Sequence, residues 1–465
     1  MQIKTCFKYK QNIITLLCGL AVASCAVNDG HQTHTWDPVE DDPNYVLKAQ
    51  ASEQPLKQIH GALSLQRAAE EILKYHPRVA QAKGNENSEQ ERINIAKAGY
   101  YPQISGGLGT QYNNNRSRND RYGKDYIQNL NLEVNQVLYD FGKTSSAVKS
   151  AEYGYLGAKA YTNMTNEELV HAASLAVIST ERYQKMINLA KEQVARVKDL
   201  GGLVEQRYEK GASNLSDVYQ ARSRLDDVQS EELDTVSQYQ STLRTLGIIT
   251  GQREITGAQV GALPATLSLA CSTAPDWKKV PAYAVAELEA EQALADLERA
   301  RANELPTIAL RGNASHPLNA KPRYGSRTDA TVGLNVTVPV YQGGSLSASK
   351  RAAQGQAESA VARKANVQLE IGQKMTEAQV RLENLKQRAN LLSRRVENLK
   401  NTKELYKQQY LELGTRSLLD LLNSEQEYHQ ARMEVVNNQL DIVQTQVDCA
   451  FYQGKLRESL HVLAQ

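Results

Sequence analysis

Aromatic residues make up only 6% of the 465-residue chain, with three Phe against 23 Tyr. Several compact cores would need more large rings than this, whereas long helices packed side by side need few. Charge of one sign is equally scarce: 54 Lys and Arg stand against 52 Asp and Glu, a formal net charge of +2. No broad basic field results, which argues against nucleic acid as a partner. Catalytic signatures are missing too. There is no nucleophile elbow, phosphate-binding loop, His-Glu-x-x-His or paired-cysteine metal motif. The eight His are scattered, and His171 and His429 read as surface or packing residues rather than ligands. Gly106-Gly107-x-Gly109 is too short for a dinucleotide fingerprint. Charge runs such as Glu181-Arg182 and Arg394-Arg395 read as solvated helix faces. The expectation is no enzyme, no cofactor and no metal.

The apolar run Ile13 to Ala23 is too short to span a bilayer, which takes roughly 20 residues as a helix. Preceded by Lys4, Lys8 and Lys10, it reads as a signal peptide over residues 1–24. Val22-Ala23-Ser24-Cys25 resembles a bacterial lipobox, with Cys25 as the lipid-modified first residue; the alternative is an ordinary signal peptide cut near Ala23. Ala26 in the next position fits release to the outer membrane and its lipid. Residues 25–62 are polar, with Pro38, Pro43 and Pro55, the composition of a tether. After processing, Cys271 and Cys449 are left either as a disulfide in an oxidising compartment or as two unpaired buried thiols.

What the chain does have is a repeat. Gly211-Ala-Ser-Asn-Leu-Ser-Asp-Val218 aligns with Gly414-Thr-Arg-Ser-Leu-Leu-Asp-Leu421 at an offset of about 203 residues. Pro77 and Pro102 answer Pro281 and Pro306; Arg121-Tyr122-Gly123 answers Arg323-Tyr324-Gly325. Leu132, Val134, Tyr139 and Gly142 answer Leu334, Val336, Tyr341 and Gly344. The chain therefore reads as a tandem duplication, 63–250 and 281–465, joined by a linker over 251–280. Each half runs helix, strand, loop, strand, long helix, turn, helix.

Ser64 is placed to cap the first helix, and His76-Pro77 interrupts it. Strands are expected at about 103–112 and 126–138, and again at about 307–315 and 328–340. Asn113 to Asp125 reads as an exposed hairpin loop. Along Asn129 to Asn135 the residues alternate strictly, with Leu130, Leu132 and Val134 on one face and Asn131, Glu133 and Asn135 on the other. Val332, Leu334 and Val336 repeat the pattern. Strands of about ten residues with this alternation fit outer-membrane barrels, and Tyr100, Tyr101, Tyr139, Phe141 and Tyr341 sit where an aromatic girdle belongs. A soluble sheet packed on helices would alternate in the same way. The helix after Gly142 runs to Tyr208, on the order of 100 Å at 1.5 Å per residue, with Gly201-Gly202 as a candidate kink. Its counterpart runs from about Ser345 to Tyr410, and a last helix is expected from about Leu418 to His461. Four strands cannot close a barrel, and an open edge is not tolerated in hydrocarbon. Membrane entry would require oligomerisation, and three copies would give twelve strands.

Leu138-Tyr-Asp-Phe-Gly142, Pro339-Val-Tyr-Gln-Gly-Gly344 and the two Gly-to-Asp turns resemble the TolC family of outer-membrane channel-tunnels, over nearly all the mature chain. The resemblance implies an α+β membrane protein: a homotrimer with a twelve-stranded β-barrel open to the outside and a periplasmic α-helical tunnel tapering to a gated tip. It implies that Arg416, near Gly211 and Gly414, pairs across helices with Ser216 and Asp217, and that Asp420 forms an acidic ring at the entrance. Asn423 and Leu411 depart from the family pattern, where a second ring carboxylate and a gate tyrosine would stand, although Tyr410 is adjacent. Fewer negative charges and a weaker latch follow. The resemblance further implies a passive exit duct working with a periplasmic adaptor and an inner-membrane ABC or RND transporter. Gly414-Thr-Arg-Ser-Leu-Leu-Asp420 looks more like ducts of type I protein secretion; multidrug or small-molecule efflux is the alternative, and a soluble periplasmic coiled-coil scaffold is the reading from another class.

Overall fold

The computed structural model of the chain describes residues 61–112, 126–319 and 327–462. The leader, Cys25, the loop from Asn113 to Asp125 and Arg323-Tyr324-Gly325 lie outside the described residues. Strand β1 (Ala62–Ser64) enters α1 (Leu65–Tyr75), which Ser64 caps by accepting a hydrogen bond from the Arg67 amide at 3.3 Å. The chain breaks at His76, and α2 (Pro77–Lys97) restarts with proline at its first position, where a missing N–H costs nothing. Strands β2 (Gln103–Tyr112) and β3 (Tyr126–Tyr139) form the first hairpin. Helix α3 (Lys143–Glu209) is 67 residues long. There follow α4 (Leu215–Thr250), β4 (Gly257–Gln259) and α5 (Ala265–Leu269). The second repeat comprises α6 (Pro281–Ala302), β5 (Thr307–Pro317), β6 (Asp329–Thr337), α7 (Ser345–Gln408) and α8 (Leu418–Tyr452), closed by α9 (Leu456–Ser459).

Three local expectations are revised. Helix α3 passes through Gly201-Gly202 without a break, and a Cβ added at Gly201 would make only ordinary contact with Ala221 of α4, at 4.0 Å. Strand β6 stops at Thr337, three residues short, because Pro339 has no N–H to give the ladder. The last long helix ends at Tyr452 instead of reaching His461, since Gly454 takes φ +65° against Pro281 and the Lys279 carbonyl.

The joint between sheet and long helix is built twice. In the first repeat Phe141 (φ +57°) and Gly142 (φ +97°) turn the chain; in the second, Gly343 (φ +61°) and Gly344 (φ +81°) do so. A left-handed Phe costs about 1–2 kcal/mol, offset here by its edge-on contact with Tyr139 at 4.6 Å and by Asp140. The Asp140 carboxylate accepts from the amides of Gly142 (3.0 Å) and Thr144 (2.7 Å), capping α3.

The main core lies where α1, the linker and the C-terminal segment wrap the long helices: Ile72, Val170, Val177, Ile178, Leu246, Leu267, Val447 and Leu456 are all buried. The parallel pair β1 and β4 closes one side. Cys271 of the linker is joined to Cys449 of α8 by a disulfide, with the Cα atoms 5.1 Å apart. His171 on α3 bonds Asp448 on α8 at 2.7 Å and stacks on Phe451, which makes it a packing residue.

Candidate functional site

The sheet has strand order β2-β3-β5-β6, antiparallel throughout. Its register puts Ile104, Val134, Gly312 and Val332 in one row across the four strands, Leu108 beside Leu130, Leu132 beside Ala314, and Leu310 beside Leu334. Directly opposed residues share a face. One face therefore carries Ile104, Leu108, Leu130, Leu132, Val134, Ile308, Leu310, Val332, Leu334 and Val336. Several are largely open to solvent in the single chain: Leu108 is 77% exposed, Val332 78% and Leu334 65%. The opposite face carries Asn129, Asn131, Glu133, Asn135, Arg311, Asn313, Thr331 and Asn335, with Ser315 donating to Asn131 at 2.8 Å.

Aromatic pairs bound the apolar face at both ends. Tyr139 and Phe141 stand at the helix end, and Tyr112 and Tyr126, directly opposed with ring centroids 4.9 Å apart, at the loop end. Tyr341 lies exposed just beyond β6. Tyr112 and Tyr126 were not picked out from sequence; their alternation in phase with Leu108 and Leu130 was the available signal. Between the girdles β3 covers on the order of 40 Å along the strand, about 30 Å at a tilt near 45°, the depth of a hydrocarbon core. Within one chain, β2 and β6 each keep an unpaired edge.

At the far end of the long helices the two repeat-related turns pack together. Leu200, Val204, Val218, Ala221, Tyr410, Leu418, Leu421 and Leu422 form a separate buried cluster there. In the first turn, Gly211 has φ +71° and Asp217 accepts from Ser213 Oγ at 2.7 Å. In the second, α7 widens into a π-turn over Gln409–Leu413 before Gly414 at φ +63°. Ser417 then caps α8 by accepting from the Asp420 amide at 3.1 Å.

Arg416 donates from Nε to Gln409 at 3.1 Å, lies 3.8 Å from Asp420 and stacks 4.4 Å from the Tyr406 ring. Among the described residues of one chain it has no ion pair with Asp217 and no bond to Ser216. Both carboxylates are instead used within their own turns, by residues at the i,i−4 positions where a helix start brings side chains together.

Arg207 was not anticipated. From the last turn of α3 its Nη1 donates to the Leu411 carbonyl at 2.9 Å and its Nη2 to the Ala212 carbonyl at 3.3 Å, with the guanidinium 4.9 Å from the Tyr410 ring. At the turn offset, Arg207 and Tyr410 are repeat equivalents, so the duplication itself held the clue.

Deeper in, a buried ionic network joins three helices. Glu425 accepts from Arg196 Nε at 3.2 Å and from Lys403 Nζ at 3.1 Å. Arg196, Lys403 and Arg432 surround the Tyr428 ring at 5.6, 5.0 and 5.5 Å, and Arg432 pairs with Glu192. His429 sits beside them, buried; burial, and then the charges of Arg196 and Arg432, hold its pKa down to about 4.

Known proteins resemble this chain in sequence and in fold. Alkaline protease secretion protein AprF of Pseudomonas aeruginosa is 23% identical over 74% of this chain and 72% of its own length. Outer membrane efflux protein BepC of Brucella suis is 24% identical over 76% of this chain and 77% of its own. Among solved structures, the CmeC outer membrane channel of Campylobacter jejuni superposes with a TM-score of 0.73, at 15% identity, over 86% of this chain and 90% of that one. The profile of the family described as outer membrane efflux protein matches residues 68–252 and 279–454, one span in each repeat. The chain belongs to the outer membrane efflux protein family, the TolC family of outer-membrane channel-tunnels.

Proposed function

We propose that three copies of this chain close their sheets into a twelve-stranded barrel in the outer membrane and gather their long helices into a periplasmic duct, the exit of a tripartite export system. The observation that carries this is the sheet: an exposed apolar face with aromatic girdles at both ends, a polar face behind it and two unpaired edges. An open edge is costly in hydrocarbon, and joining β2 of one copy to β6 of the next removes every edge. The polar face then lines the lumen. Lipidation at Cys25 would add a second anchor.

The duct is a passive conduit, supplied through a periplasmic adaptor by an inner-membrane ABC or RND transporter. Its entrance is the pair of turns at Gly211 and Gly414. In the assembly, Arg416 meets Ser216 and Asp217 of a neighbouring copy, and Asp420 lines the opening. Type I protein secretion is the favoured service. Gly414-Thr-Arg-Ser-Leu-Leu-Asp420 supports it, as does the likeness to a relative named for protease secretion. Small-molecule efflux is favoured by the likeness to a relative named as an efflux protein.

The test is outer-membrane isolation, detergent extraction, mass by light scattering and single-channel recording on the same sample. A conducting trimer is expected. A monomer released by salt without detergent would leave a soluble coiled-coil scaffold as the reading. Deleting the gene and comparing secreted proteins with drug susceptibility then separates the two services.

A further inference from the structure

The second turn is held by a residue from the first repeat. Within the π-turn, the amides of Gly414 and Thr415 both go to the Gln409 carbonyl. Thr415 is the residue four on from Leu411, so the usual helical donor for the Leu411 carbonyl is spent elsewhere. Arg207 supplies the replacement through Nη1, while Nη2 holds the Ala212 carbonyl of its own turn. One planar guanidinium therefore bridges the carbonyls of both turns and lies over the Tyr410 ring. Tyr410, 5% exposed, is packed into the apolar cluster shared by α3, α4, α7 and α8. Arg416 takes its position from the same π-turn through Gln409, and from the end of α7 through Tyr406.

We propose that Arg207 is a positioning residue of the entrance. By clasping the Leu411 and Ala212 carbonyls over Tyr410 it fixes the second turn, and with it Arg416 and Asp420, to the first. This rests on the duct reading above. A simple capping role would tie Arg207 to its own turn only; its shorter bond runs to the other repeat.

The experiment uses full-length protein in detergent: wild type, Arg207→Ala, Arg207→Lys, Arg416→Ala and the Arg207→Ala, Arg416→Ala double variant. Closed-state conductance should rise several-fold in Arg207→Ala at unchanged assembly mass. It should rise less in Arg207→Lys, which keeps a charge over Tyr410 but cannot bridge two carbonyls. The double variant should match Arg416→Ala, because both residues act through one turn. Wild-type conductance in a correctly assembled Arg207→Ala overturns the proposal, as does a double variant whose effect is the product of the two singles. Hydrogen exchange gives a readout independent of conduction: the Gly414, Thr415 and Asp420 amides should exchange roughly tenfold faster in Arg207→Ala. Unchanged exchange there refutes the clasp even where the duct conducts. A wild type that fails to conduct while Arg207→Ala accelerates those amides refutes the duct reading and leaves the clasp standing.

Discussion

Replacing Glu425 by Ala should loosen the helices beside the two repeat-related turns more than replacing its partner Lys403. Glu425 and Lys403 are 7% and 8% exposed, and Glu425 also takes the Nε donor of Arg196. Removing one member of a buried pair costs about 3–5 kcal/mol, because the charge left behind stays buried without compensation. Two carboxylates remain within reach, Glu404 at 3.3 Å from Lys403 and Glu192 at 3.4 Å from Arg196, but their side chains are 60% and 50% exposed and so act through solvent. That places Glu425→Ala near the low end, about 3 kcal/mol, equivalent to roughly a hundredfold or slightly more in the local opening constant. Lys403→Met leaves Glu425 its Arg196 partner and should cost about 1.5–3 kcal/mol. The double change Lys403→Met, Glu425→Leu removes both buried charges, leaves Arg196 its bond to Gln193, and should recover most of the loss. Native-state hydrogen exchange of α7 and α8 near these residues is the assay. Glu425→Ala exchanging within about threefold of wild type, or Lys403→Met opening more than Glu425→Ala, would refute the assignment of the network's strain to an unpaired charge.

His429 gives the network a pH signature. Its pKa falls from 6.5 to about 4 on folding, so below pH 6.5 the unfolded chain binds a proton that the folded chain does not. The stability from this site is complete above pH 6.5 and is lost as pH falls toward 4, in total about 3 kcal/mol. His429→Gln should flatten thermal midpoint against pH across that window; an unchanged slope would assign it to other groups. Gly251, at φ +69°, closes α4 against Tyr75, whose ring would stand 2.3 Å from an added Cβ. Gly251→Ala should therefore cost more than about 2 kcal/mol in thermal or denaturant unfolding, and Tyr75→Ala in the same chain should recover the steric share while the backbone cost of about 1 kcal/mol persists. A neutral Gly251→Ala would show that the ring moves freely.

Much of this architecture is legible in the sequence because it is periodic. A strand of Leu130, Leu132 and Val134 between Asn and Glu shows its two faces by alternation alone, and the Gly-to-Asp turns show where the long helices reverse. Pairing between repeats is another matter. That β3 lies beside β5, bringing Val134 next to Gly312, follows from no local pattern. Glu425 was invisible for the same reason: a carboxylate on a helix reads as solvated until the helices bearing Arg196 and Lys403 are known to flank it. Phe141 carries a second role that its residue type did not show. It reads as a girdle aromatic, yet its backbone also adopts a conformation that the second repeat assigns to glycine.

The two repeats have divided the work at the tip. The first turn contributes Ser213 where the second has Arg416, so Asp217 is satisfied by a neutral hydroxyl and Asp420 by a cation. An exposed Arg–Asp pair is worth only about 0–1 kcal/mol, so three Arg416–Asp217 pairs between the copies of the proposed duct would release for a few kcal/mol, within what a docking partner supplies by preferring the open state. The contacts within a chain are of another kind. Tyr410 and the apolar cluster around it are buried, with the half-buried Arg207 guanidinium over the Tyr410 ring, and Leu421→Ala alone should cost about 2–5 kcal/mol. At the tip the exposed Arg–Asp pairs are therefore the contacts that a docking partner could exchange at least cost, and the apolar cluster around Tyr410 and Leu421 is what keeps each chain folded while they exchange.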